Sequence, residues 1–154
     1  MNTGMAGTGR LALAGMAALA LLFQPAARAD LKKALAQANL EKRSALALEN
    51  AFAALKEAQK AYAAGETDRV KSLIAEIGDS VQLADESLKK SGKEPRKHPT
   101  YFKKAEISTR ELARKLESFE AGMSYIDRPL MGGLKEDIQR THDEILEALM
   151  KGRK

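Results

Sequence analysis

Between Thr67 and Gly92 the apolar residues fall at Val70, Leu73, Ile74, Ile77, Val81, Ala84 and Leu88. Steps of three and four keep all seven on one side of an α-helix, whereas a strand would scatter them over both of its faces. The same period recurs along the chain. Leu48, Phe52, Leu55 and Tyr62 form one stripe; Phe102, Ala105, Leu112, Leu116 and Phe119 form another; Leu130, Leu134, Ile138, Ile145 and Leu149 form a third. No segment alternates with the period of two that a strand requires, so the chain is expected to be all-α.

Punctuation fits that reading. Gly65, Gly92, Gly122 and Gly152 each follow a stretch with helical spacing, the place where glycine ends a helix. Four stops imply four helices, at about 30–64 (helix A), 68–91 (helix B), 99–121 (helix C) and 128–151 (helix D). Thr67 is the expected N-cap of helix B. Asp127 is that of helix D, with Pro129 in the first turn. Short connections between helices of similar length favour an antiparallel up-down four-helix bundle. Helix A is about ten residues longer than helix B, so its first part should overhang or break near Asn39. The A–B hairpin has no second copy at a fixed period, which argues against a solenoid.

Residues 1–29 stand apart from this pattern. Arg10 precedes LALAGMAALALLF (11–23), Pro25 follows, and Ala27-Arg28-Ala29 has the small-x-small form of a cleavage site. These are the marks of a secretory signal peptide, and the apolar run is shorter than the roughly 20 residues of a membrane span. Cleavage near Ala29 would leave residues 30–154 as a single exported domain, periplasmic or secreted. Losing Arg10 and Arg28 lowers the formal charge from +5 to +3, too little to imply a nucleic-acid partner. The chain has no cysteine, which excludes disulfides, thiolate metal sites and a cysteine nucleophile.

Charge is unevenly placed. Residues 89–104, KKSGKEPRKHPTYFKK, hold seven cations: Lys89, Lys90, Lys93, Arg96, Lys97, Lys103 and Lys104. In an up-down bundle this connection shares one end with the start of helix A and the end of helix D. That pole would then carry twelve Lys or Arg against only Asp30 and Glu94, with Lys42 and Arg43 replacing Lys32 and Lys33 if helix A overhangs. Lys89, Lys90 and Lys151 suit the negative ends of their helices, at about 0.3–1 kcal/mol each. Lys103 and Lys104 open helix C, where the dipole disfavours cations. An anion held there would account for them, and so would full solvation of an ordinary basic face.

His142 lies one turn from Ile138 and close to Ile145, at the border of the core, where Glu106 of helix C could approach it. A histidine on a bundle helix is the seed of haem and metal sites, with Met123 or Met150 as conceivable second ligands. No C-x-x-C-H, H-x-x-x-H or E-x-x-H spacing accompanies it, so a satisfied boundary histidine is the simpler expectation, and no cofactor is assigned. Ser124 has no base at a defined spacing. Gly132 and Gly133 would permit close approach of helix C or a bend. The six aromatics from Phe52 to Tyr125 read as core and loop anchors, too few for a stacking platform on single strands. No triad, carboxylate pair or phosphate loop can be assembled, so an enzyme is not expected.

The segments SGKEPRK (91–97), KKAEISTRELARKLE (103–117), DRP (127–129) and THDEILEALM (141–150) resemble those of an uncharacterised family of small exported helical bacterial proteins, over about residues 45–154. The resemblance implies an exported helical domain and supplies no catalytic or binding residue. The expectation is therefore a non-enzymatic interaction module of the cell envelope. Its basic pole would face an anionic partner: lipid headgroups, lipopolysaccharide or an acidic protein. A haem- or metal-binding bundle centred on His142 is the alternative. A spare apolar face on helix A would also suit a homo-oligomer.

Overall fold

In the computed structural model, which describes residues 26–151, every regular element is helical and no strand occurs among the described residues. The elements are α1 (Ala26–Ala36), α2 (Leu40–Ala63), α3 (Thr67–Lys90), α4 (Pro99–Ala121) and α5 (Gly132–Met150), with a 3-10 turn at Arg128–Met131 before α5. Four of these are long, an arrangement compatible with a helical bundle. No described helix is long and apolar enough to cross a membrane. The expected leader lies, up to residue 25, outside the described residues, as does Gly152.

The expected helix A is two helices, and the break is built from side chains. Asn39 has extended backbone and its Oδ1 accepts from Lys42 N–H at 2.8 Å, capping α2. Asn39 N–H donates to Gln37 Oε1, and Arg43 Nε donates to the Gln37 carbonyl at 2.8 Å. These bonds satisfy groups that a severed helix would leave without partners. The short α1 folds back onto α2 and α3, with Ala34 fully buried. Lys32 consequently lies beside Ser72, Glu76 and Asp79 of α3 instead of joining the basic pole, where Lys42 and Arg43 stand in its place.

The α2–α3 pair forms the centre. Ser44, Ala47, Ala51, Ala54, Ala58 and Ala61 repeat every seven residues in alternating steps of three and four, and all are buried. Each alanine contributes one methyl, about 0.8 kcal/mol of burial. Its larger effect is to let two backbones approach closely, so that Val70, Leu73, Ile77, Val81, Ala84 and Leu88 of α3 fill the seam. Asn50 fixes the register. Its side-chain N–H groups donate to Glu76 Oε1 at 3.1 Å and Ser80 Oγ at 2.9 Å across the interface. Ser80 in turn donates to the Glu76 carbonyl. Asn50 is 1 % exposed, and its Oδ1 has no hydrogen-bond partner.

Cross-contacts show how the other helices run. Glu41 at the start of α2 meets Lys93 just after α3, so these two helices are antiparallel. Glu120 pairs with Lys135, and Glu106 with His142, so α4 and α5 are antiparallel too. Tyr62 near the end of α2 stacks edge-on against Phe119 near the end of α4, with ring centres 5.8 Å apart. Those two helices therefore point the same way, although α4 follows α3 in sequence and touches it only lightly. Phe102, Leu112, Leu116, Met131, Leu134, Ile138 and Ile145 close the core from the α4–α5 side.

Two expected caps are corrected. Thr67 lies inside α3, whose cap position is Glu66, with no side-chain hydrogen bond. Asp127 has helical backbone and caps nothing. Its Oδ2 accepts instead from Tyr62 O–H at 3.0 Å and from Ser124 Oγ at 2.6 Å, while Tyr62 O accepts from Ser124 N–H at 2.8 Å. These bonds fasten the α4–α5 connection onto the end of α2, and hydrogen bonds from Ser124 and then Tyr62 hold the Asp127 carboxyl below its usual range. Gly65 and Gly92 adopt the left-handed conformation expected of helix stops, at φ 74° and 65°. Gly132 and Gly133 begin α5, and a Cβ at either would meet nothing, so they do not serve a close approach.

If the alanine seam sets the α2–α3 spacing, an enlarged residue there must strain it. Ala54→Leu is expected to destabilise the fold by about 1–3 kcal/mol in denaturant unfolding, whereas Ala53→Leu, on the half-buried flank, should cost far less.

Candidate functional site

The seven cations of residues 89–104 do share one end of the molecule, but they fall into two groups. Lys89 Nζ lies 2.7 Å from Asp85 and 2.6 Å from Glu144 of α5. Bonding to Asp85 first and Glu144 second raises its pKa, and the same pair lowers that of Glu144. Lys90 pairs with Glu86 at 2.9 Å, and Lys97 with Glu94 at 3.0 Å. Lys93 reaches across to Glu41. Lys151, at the same end, pairs with Glu147. The pole is therefore less basic than its sequence suggests, because Glu41, Asp85, Glu86, Glu144 and Glu147 are folded in among its lysines.

The remaining three differ. The side chains of Arg96, Lys103 and Lys104 make no ion pair or hydrogen bond among the described residues. The α4 helix on which two of them stand opens with Pro99, has no acidic residue in its first turn and receives no side-chain cap from His98. Its first N–H groups and these cations face the same solvent.

Beside them, between α2 and α4, runs a cleft of about 310 Å³. Leu48, Phe52, Tyr101, Ala105 and Ile107 supply its apolar surface, with Ile107 half exposed. Glu41 and Ser44 lie at its base, both buried, and Lys104 and Glu49 stand on the rim. Glu41 is only 5 % exposed, and the Lys93 ammonium is its counter-ion. The hydrogen bond from Lys93 holds the Glu41 carboxyl below the usual carboxylate range, against the opposing effect of burial, and the nearby His98 acts in the same direction.

Neither the cleft nor Glu41 emerges from the apolar stripes alone, yet a signal was there. Counting back by sevens from Tyr62 through Leu55 and Leu48 lands on Glu41.

His142 meets Glu106, as its helix position suggested. Nε2 is 3.1 Å from Glu106 Oε1, and Nδ1 is 3.1 Å from Asp143 Oδ1. Both ring nitrogens thus face carboxylates, and Glu106 is shared with Arg110 at 3.6 Å. Among the described residues no group of three or more His, Cys, Asp or Glu is placed to hold a metal ion. Met123 is buried in the core, and Met150 is half exposed at the far end of α5. At the end opposite the basic pole, Tyr125 is 87 % and Ile126 86 % exposed, so Tyr125 anchors nothing.

The chain matches no family model, and neither a curated protein nor a solved structure is similar to it. Functional inference therefore rests on the residues themselves.

The Lys93–Glu41 pair makes a pH-dependent contribution of definite sign. A carboxyl whose pKa is lowered by folding stabilises the fold above its ordinary value of 4.5 and loses that effect as pH falls through the lowered value. Acid unfolding of Glu41→Gln is expected to be less steep on that side than wild type. Lys93→Met, which leaves the buried carboxylate without its partner, should cost about 1–3 kcal/mol near neutral pH. Equal acid sensitivity of wild type and Glu41→Gln would show that the pair does not act in this way.

Proposed function

We propose that the protein is an exported, non-enzymatic interaction module: an up-down four-helix bundle, released by cleavage of its leader near Ala29, whose basic pole binds an anionic component of the cell envelope. The observation that carries this reading is the uncompensated trio Arg96, Lys103 and Lys104. Elsewhere at that end each lysine of the 89–97 segment has a carboxylate beside it, so its field beyond the surface is largely cancelled. Three cations without carboxylate partners, on and just before a helix start whose dipole also favours negative charge, leave a local positive potential available to a partner.

The partner's chemistry follows from the site's. Exposed ammonium and guanidinium groups suit phosphate or carboxylate groups presented on a surface, as in lipid headgroups, lipopolysaccharide or an acidic protein. Among these an anionic lipid surface fits best, because the apolar cleft opens next to the same cations.

The trio and the paired lysines give opposite expectations. Arg96→Gln/Lys103→Gln/Lys104→Gln should abolish salt-sensitive co-sedimentation with phosphatidylglycerol vesicles while leaving helicity unchanged. Lys90→Gln/Lys97→Gln removes nearly as much formal charge, yet should reduce binding by less than about threefold, the scale expected of a screened surface charge. Equal losses in the two variants would mean that total charge, and not the unpaired trio, governs binding.

A further inference from the structure

The α2–α4 cleft lies against the unpaired trio, and Lys104 belongs to both. We infer that this cleft takes the single acyl chain of an anionic amphiphile, with its charged head on Lys104 and its chain on Phe52, Tyr101 and Ile107. The inference rests on the basic-pole reading and adds to it a defined ligand class.

Three features point to this occupant. A volume of about 310 Å³ lies at the lower end of small-molecule sites, which run from about 300 to 1,000 Å³, and so admits one short chain and not a pair. The walls are mostly apolar, and Ile107 on the rim is half exposed, so a hydrocarbon chain would remove surface that water covers at a cost. The charges select polarity. Glu41 at the base is already neutralised by Lys93, leaving Lys104 and Glu49 as the uncommitted charges of the rim. Glu49 stands one helical turn beyond Ala45 towards the C-terminal end of α2, so it disfavours an anionic head there. Lys104, with Lys103 beside it, favours one at the pole end. A cationic amphiphile in the same orientation would place its head against Lys104.

Calorimetric titration of the full chain with monomeric decanoate tests the assignment, with decyltrimethylammonium as the probe of opposite charge. Saturable one-to-one binding of decanoate is expected, with the cationic probe about tenfold weaker or worse, the scale of exchanging attraction for repulsion at one partly exposed charge. Lys104→Glu should invert that preference, and Glu49→Gln should tighten decanoate binding. Ala45→Trp, which fills the cleft from its half-buried wall, should abolish decanoate binding while salt-sensitive binding to phosphatidylglycerol vesicles persists. Should that variant fold poorly by circular dichroism, Ser108→Phe fills the same space from α4. Equal binding of the two amphiphiles, or decanoate binding that survives filling of the cleft, would overturn the inference. Vesicle binding without any decanoate binding by the wild-type protein would also overturn it and leave the basic-pole reading standing. Loss of both would remove the two together.

Discussion

Close approach of α2 and α3 through a seam of alanines is the constraint on which the remaining structure depends. Alanine side chains provide little hydrophobic energy individually, but they bring two long helices near enough for the valines, leucines and isoleucines of α3 to pack directly against backbone. That interface holds a buried amide, Asn50, whose donors reach both Glu76 and Ser80. A helix slipped along its neighbour would leave these groups without partners in a dry interface, which is more costly than the bonds themselves are stabilising. Once α2 and α3 are fixed, α1 can fold back across them, while α4 and α5 close the other side.

Register then decides the electrostatics. Because α2 and α3 are antiparallel in this alignment, Glu41 arrives under Lys93. Because α5 runs alongside α3, Glu144 arrives beside Lys89. These long-range pairings neutralise much of what sequence counting assigns to a strongly basic pole, and among the seven cations of residues 89–104 they leave Arg96, Lys103 and Lys104 without partners. The same α2 face that positions Glu41 also presents Leu48 and Phe52 to Tyr101 and Ala105 of α4. The apolar cleft and the residual positive charge thus have a common origin in the placement of α2.

Much of this was legible in the residues. The α3 stripe and the bounds of α4 follow from period and from Pro99, and the helix break at Asn39 follows from excess length and a good capping residue. The alanine seam was not, because alanines separated by sevens do not register against the larger Leu48, Phe52, Leu55 and Tyr62 on the neighbouring face. Asp127 misled for another reason. An acidic residue before an Arg-Pro pair has the local form of an N-cap, yet Tyr62 of α2 and Ser124 of the α4–α5 connection claim its carboxylate. Local rules locate helix ends well when local bonds satisfy them and fail where a distant hydroxyl competes. The charge count failed in the same way. Lys89 and Glu144 are 55 residues apart, and no spacing rule connects them.

Hydrogen exchange of the whole protein, with and without phosphatidylglycerol vesicles, addresses the central claim most directly. If the uncompensated cations form the binding surface, slowed exchange should be confined to about residues 91–108 and the facing first turns of α2. Protection centred instead on Tyr125 and Ile126 at the opposite end, or none at any lipid concentration, would contradict it.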